Sequence, residues 1–129
     1  MANFQKLTVW QLAKNLAVSI YEISNRGKLS TDYGLKDQMR RAAVSIPSNI
    51  AEGEQLGSNM QSIRHFFIAR GSAAELYTQA IIAKEINYLN SDEFSKIENT
   101  YNQVSAMLTR LIQARQKAGN SPPKTTSAG

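Results

Sequence analysis

The sequence predicts an all-α fold, an antiparallel up-and-down four-helix bundle with a proline-bent second helix. Three observations point there. Apolar residues recur at spacings of three and four through four long segments; short stretches rich in Gly, Asn, Asp and Ser separate them; and Leu35 to Gly53 keeps Pro47 among Ala43, Ile46 and Ile50. A proline retained inside an apolar helical pattern signals a packed bend.

The first helix runs from Leu7 to about Ile23. Val9, Leu12, Leu16 and Ile23 form one stripe, and Trp10, Ala13, Ala17 and Ile20 form its neighbour, a face wide enough to meet more than one helix. Asn25 to Gly34 concentrates turn-forming residues and reads as a loop. The second helix starts near Tyr33 to Leu35 and carries Leu35, Met39, Ala42, Ile46 and Ile50 inward. Pro47 lacks the amide that would reach Ala43, a defect of about 3 kcal/mol in a helix interior, so a bend is expected. Ser45, Ser48 and Asn49 are placed to bond backbone groups near it. Gly53 and Gly57 read as stop signals.

Ser58 or Asn59 caps a third helix that reaches about Tyr88, with Ile63, Phe66, Phe67, Ala73, Leu76, Tyr77, Ala80, Ile81 and Ala83 as core positions. Gly71 in its middle costs about 1 kcal/mol relative to alanine, and close approach of another backbone is the expected return. Ser91 is the expected cap of the fourth helix, whose buried side comprises Phe94, Ile97, Tyr101, Val104, Leu108, Leu111 and Ile112. These helices make one domain over residues 1–117. Residues 118–129 hold adjacent prolines and no large apolar side chain, and the expectation for them is a disordered tail.

The 129 residues include no cysteine, which removes disulfides and thiolate metal sites and favours a cytoplasmic location. The amino-terminal segment interrupts its apolar residues too often for a signal peptide or a membrane span. His65 is the only histidine and has no partner at a metal-ligand spacing. No nucleophile elbow, phosphate loop or dinucleotide-binding glycine pattern occurs, and Ser19, Ser45 and Ser72 read as packing or capping residues. Glu52 and Glu75 are the one conceivable acid–base pair, without a spacing that fixes their separation. The expectation is no enzyme, no metal and no cofactor.

The formal charge is +5. Such a surplus favours weak attraction to nucleic acid or an anionic membrane, and the candidate phosphate contacts are Lys14, Lys36, Arg40, Arg41, Arg64 and Arg70. The competing reading is a solvated face with internal pairs to Asp37, Glu52 or Glu75. Trp10, Phe66, Phe67 and Tyr77 fall on core-like stripes, so an aromatic stacking platform is not expected. Val9, Leu12, Met39, Phe67 and Tyr101 widen the apolar surface beyond one bundle core, which makes self-association plausible.

Three blocks carry a resemblance: VWQLAKNLAVSIYE (Val9 to Glu22), YGLKDQMRRAAVSIPSNIAEG (Tyr33 to Gly53) and FFIARGSAAELYTQAIIAKEINYL (Phe66 to Leu89). They are similar to the four-helix bundle family encoded in bacterial 23S rRNA intervening sequences, also labelled S23 ribosomal proteins. Gln61, Ser62 and His65 depart from the family pattern. The resemblance implies a left-handed up-and-down bundle assembled as a homo-oligomer, commonly a pentamer with a central channel, and supplies no catalytic residue set. A related branch, the accessory variability proteins of diversity-generating retroelements, binds nucleic acid and a reverse transcriptase. The resemblance therefore implies a noncatalytic oligomeric bundle that binds RNA or a protein–RNA complex. Its alternatives are a retroelement accessory subunit that binds the reverse transcriptase with RNA or cDNA, and a protein-only scaffold.

Overall fold

The computed structural model describes residues 3–56 and 58–120. Four helices follow one another: α1 (Thr8–Ser24), α2 (Tyr33–Gln55), α3 (Asn59–Glu85) and α4 (Ser91–Asn120). No strand occurs among the described residues. Each helix packs against its neighbours in the chain, and α1 also meets α4, which closes a four-helix bundle. The α2–α3 seam is the most extensive and the α1–α4 seam the least. Of the tail expected over residues 118–129, residues 118–120 continue α4, and 121–129 lie outside the described residues.

Local chemistry sets the helix ends. The Leu35 amide donates to Asp32 Oδ1 at 3.1 Å and the Gln61 amide to Ser58 Oγ at 3.3 Å, so α2 and α3 start where cap residues stand. At α4 the cap is Asn90, not the expected Ser91. Asn90 Oδ1 accepts from the Glu93 amide at 2.7 Å while Glu93 Oε1 accepts from the Asn90 amide at 3.0 Å, a reciprocal box that satisfies two otherwise orphan donors. Helix α3 ends at Glu85, short of the expected Tyr88. Asn87 takes a φ of 65°, and the Tyr88 and Leu89 amides fold back onto the Ala83 carbonyl at 2.8 and 3.2 Å.

The core contains Ile20, Met39, Ile46, Ile50, Phe66, Leu76, Ile97, Val104 and Leu108, all nearly inaccessible to solvent. Leu29 joins them from the first loop, where a short 3-10 turn, Lys28–Thr31, drops it fully into the interior. Phe67, expected inside, is 42% exposed. It lies on the other side of α3 from its buried neighbour Phe66, because adjacent helical residues point about 100° apart.

Pro47 is buried, and α2 runs through it as one helix. The Asn49 side-chain amide donates to the Ser45 carbonyl at 2.9 Å, adding a bond next to the turn that lacks the proline's own. The close approach expected at Gly71 belongs instead to Gly53. A Cβ at Gly53 would stand 2.7 Å from Phe66 Cε1, whereas one at Gly71 meets nothing within 4 Å and the residue is exposed. The Ser62 hydroxyl donates to the Gly53 carbonyl at 2.6 Å, and Ser45 and Ser72 share a hydrogen bond of 2.8 Å, so small and hydroxyl residues hold α2 against α3.

Candidate nucleic-acid interface

Four of the six basic candidates fall on the α1–α2 side. Lys14, Val18 and Tyr21 recur at four and three residues along exposed α1 positions, and Arg41 and Val44 do so on α2. Arg40 ties the two helices together. Its Nε donates to Ser24 Oγ at 2.8 Å, and its Nη2 donates to Asn25 Oδ1 at 2.8 Å and to the Tyr21 carbonyl at 3.4 Å. Its guanidinium carbon lies 4.4 Å from the centre of the Tyr21 ring. Most of the N–H capacity of Arg40 is therefore spent on α1, and Ser24, fully buried, is satisfied by it.

Arg41 points away from that junction. Its side chain is 79% exposed and pairs with Asp37, one turn earlier, at 2.8 Å. That hydrogen bond first, and the Asp37 charge second, raise the Arg41 pKa above the ordinary arginine value. Lys36 Nζ donates to the Ser30 carbonyl at 3.4 Å and stands 5.9 Å from the centre of the Tyr33 ring. Lys14 is exposed on α1.

The remaining two candidates lie elsewhere. Arg64 is exposed on the outer side of α3, on the same stripe as Met60, Ile68, Gly71, Glu75 and Ile82. Arg70 reaches across the α3–α4 groove, donating from Nη1 to Thr109 Oγ1 at 3.1 Å with its guanidinium 4.9 Å from the Phe67 ring centre. The six residues thus do not make one surface. The expected internal pairs are equally selective: Asp37 takes Arg41, Glu52 faces His65 at 3.2 Å, and Glu75 accepts from the Gln79 amide at 3.4 Å.

His65 Nδ1 also lies 2.9 Å from Asn49 Oδ1, which makes it part of the α2–α3 seam. Among the described residues no group of three or more His, Cys, Asp or Glu side chains could hold a metal ion, and no helix is long and apolar enough to cross a membrane.

Two aromatic residues escaped the sequence reading. Tyr21 is 42% exposed and Tyr33 73% exposed, each with a cation over its ring. A signal existed: Tyr21 stands between Ile20 and Ile23 and off both apolar stripes, and Tyr33 follows the Asp32 cap at the first helical position, ahead of the inward residues.

The family model of the 23S rRNA-intervening sequence protein matches residues 5–110. Among solved structures, the chain is similar to a protein of unknown function from the S23 ribosomal protein family of Bacteroides thetaiotaomicron VPI-5482. The two share 23% sequence identity with a TM-score of 0.75, covering 81% of this chain and 98% of the other. None of the curated proteins compared matches. Because the family pattern spans all of α1 to α3 and most of α4, this chain belongs to the 23S rRNA-intervening sequence protein family.

Proposed function

We propose that the protein is a noncatalytic, homo-oligomeric helical bundle that binds RNA, alone or within a protein–RNA complex, across the α1–α2 face. The observation that carries this reading is the clustering of Lys14, Lys36, Arg40 and Arg41 on that face. Phosphate contact positions a nucleic acid without demanding base-specific side chains, which suits a surface of exposed Lys14 and Arg41 with half-buried Lys36 and Arg40. Arg40 orders the surface, and Lys14, Lys36 and Arg41 supply charge at its rim.

Self-association draws on the opposite part of the molecule. Helix α3 carries apolar side chains on its outer stripe as well as its inner one, with Met60 82%, Ile68 41% and Ile82 47% exposed, and Ile86 just past its end 45% exposed. These apolar side chains share the outer stripe with Arg64 and Glu75, a mixed surface that a second copy would bury. The expected assembly is a pentamer.

The test is light-scattering mass together with RNA binding over a salt series. An oligomer whose RNA affinity falls steeply with salt is expected. Changing Lys14, Lys36 and Arg41 to glutamine should reduce the slope of log affinity against log salt by about one for each phosphate no longer neutralised. A monomer would remove the oligomeric part of the proposal. An oligomer without measurable RNA affinity would leave a protein-only scaffold.

A further inference from the structure

The α1–α2 face carries more than charge. Near the end formed by the α1 carboxyl terminus and the α2 amino terminus, two exposed aromatic rings each have a cation from α2 above them. Arg40 lies 4.4 Å from the centre of Tyr21 and Lys36 lies 5.9 Å from that of Tyr33. Tyr33 and Arg40 are seven residues apart on one helix, hence on one side of α2 and about 10 Å apart along its axis. Tyr21 stands beside Arg40 from the facing helix. Tyr33, Lys36, Arg40 and Tyr21 thus form a short row along this end of the face.

The row is held in place. Arg40 is tied to Ser24, Asn25 and the Tyr21 carbonyl, and Lys36 to the Ser30 carbonyl. Two neighbouring carboxylates are already engaged. Asp32 accepts from the Leu35 amide and the Tyr88 hydroxyl, and Asp37 accepts from Arg41. Asp32 and Asp37 therefore have partners, Glu22 beside Tyr21 is exposed, and Lys28 adds an exposed cation from the intervening loop.

Exposed aromatic faces beside cations fit one ligand chemistry better than others: unpaired bases joined by phosphates. Bases in a duplex hide their faces in the stack, while single-stranded bases are free to lie on tyrosine rings, and the lysines beside them meet the intervening phosphates. We infer that Tyr21 and Tyr33, with Arg40 and Lys36, form a stacking platform for single-stranded RNA. The inference rests on the RNA-binding reading above and names the form of RNA and the non-phosphate part of its recognition.

Oligouridine and an RNA duplex of matched length, each fluorescently labelled, serve as probes for the full chain, with oligothymidine as the DNA arm. Tyr33→Ala and Tyr21→Ala should each weaken oligouridine binding about tenfold, leave duplex binding unchanged and leave the salt slope unchanged, since no charge is removed. Tyr33→Phe, which keeps the ring, should bind like the parent protein. Circular dichroism and scattering mass verify that each variant retains its helices and assembly. Oligothymidine binding equal to that of oligouridine would replace RNA by single-stranded nucleic acid in general and overturn the RNA assignment. Parent-like oligouridine affinity in both alanine variants, alongside a loss in the Lys14, Lys36 and Arg41 variant, would overturn the platform while the basic-face reading stands. Failure of the parent protein to bind any of the probes would overturn both.

Discussion

The α2–α3 and α1–α4 seams hold the same bundle together by different means. Between α2 and α3, Gly53 receives the Phe66 ring, Ser62 bonds the Gly53 carbonyl, Ser45 meets Ser72, and Asn49 and Glu52 bracket His65. Each contact fixes one helix against the other at a particular residue. Between α1 and α4 lies a cleft of about 260 Å³ lined by Leu12, Asn15, Leu16, Ser19, Ile23, Lys96, Ile97 and Thr100. Apolar contact closes that side without a comparable lock. Of these two seams, the first is thus fixed by residue-specific pairs, and the second has space to accommodate change.

The largest expected effect is at the tight seam. Gly53→Ala forces a methyl group to within 2.7 Å of a fully buried ring. Overpacking of this kind costs about 1–3 kcal/mol, and a chemical-denaturation midpoint above that of the parent would contradict it. Next comes Ser62→Ala, which strips the Gly53 carbonyl of its buried donor and should cost about 1–2 kcal/mol in the same assay. At the loose seam the sign reverses: Ser19→Leu fills part of the cleft and should stabilise by about 0.5–1 kcal/mol. A destabilisation as large as that of Gly53→Ala would erase the distinction between the seams.

The smallest effect concerns pH and lies outside both seams. Tyr77 donates to Glu98 and Tyr88 donates to Asp32, and these hydrogen bonds, with desolvation second, raise both phenol pKa values above their ordinary 10.0. A raised folded-state value means that the neutral phenol is favoured by folding. The associated stability is fully present below the unfolded tyrosine pKa and is lost as pH rises through the folded values. Stability should therefore fall on the alkaline side, and Tyr77→Phe with Tyr88→Phe should flatten that fall in pH-dependent denaturation curves.

The helical pattern predicts four helices because their apolar residues recur at a period that only a helix brings to one side, and Asp32 and Ser58 stand where caps occur. What the pattern does not carry is which neighbour a side chain meets. Gly53 looks like a stop signal and Gly71 like a packing glycine, yet the partner ring at Gly53 comes from another helix and nothing local announces it. Phe66 and Phe67 are chemically alike, and only the rotation of α3 in the bundle separates a buried ring from an exposed one. The basic residues pose the same difficulty. Arg40 and Arg41 are adjacent in the chain, but one ties α1 to α2 and the other extends from the surface.

Asp32 joins two connections of the bundle. One of its oxygens caps α2 and the other accepts the Tyr88 hydroxyl at 3.0 Å, beyond the end of α3, while Arg26 from the first loop reaches Glu93 of α4 at 3.4 Å. Both connections at this end are thereby stapled across the chain. In hydrogen exchange, the amides opening α2 and those closing α3 should behave as one cooperative unit, so that a local fluctuation at either loop is opposed by the other. The tyrosine row stands at this end, beside both stapled connections, and binding there forfeits less motion than binding to a free loop.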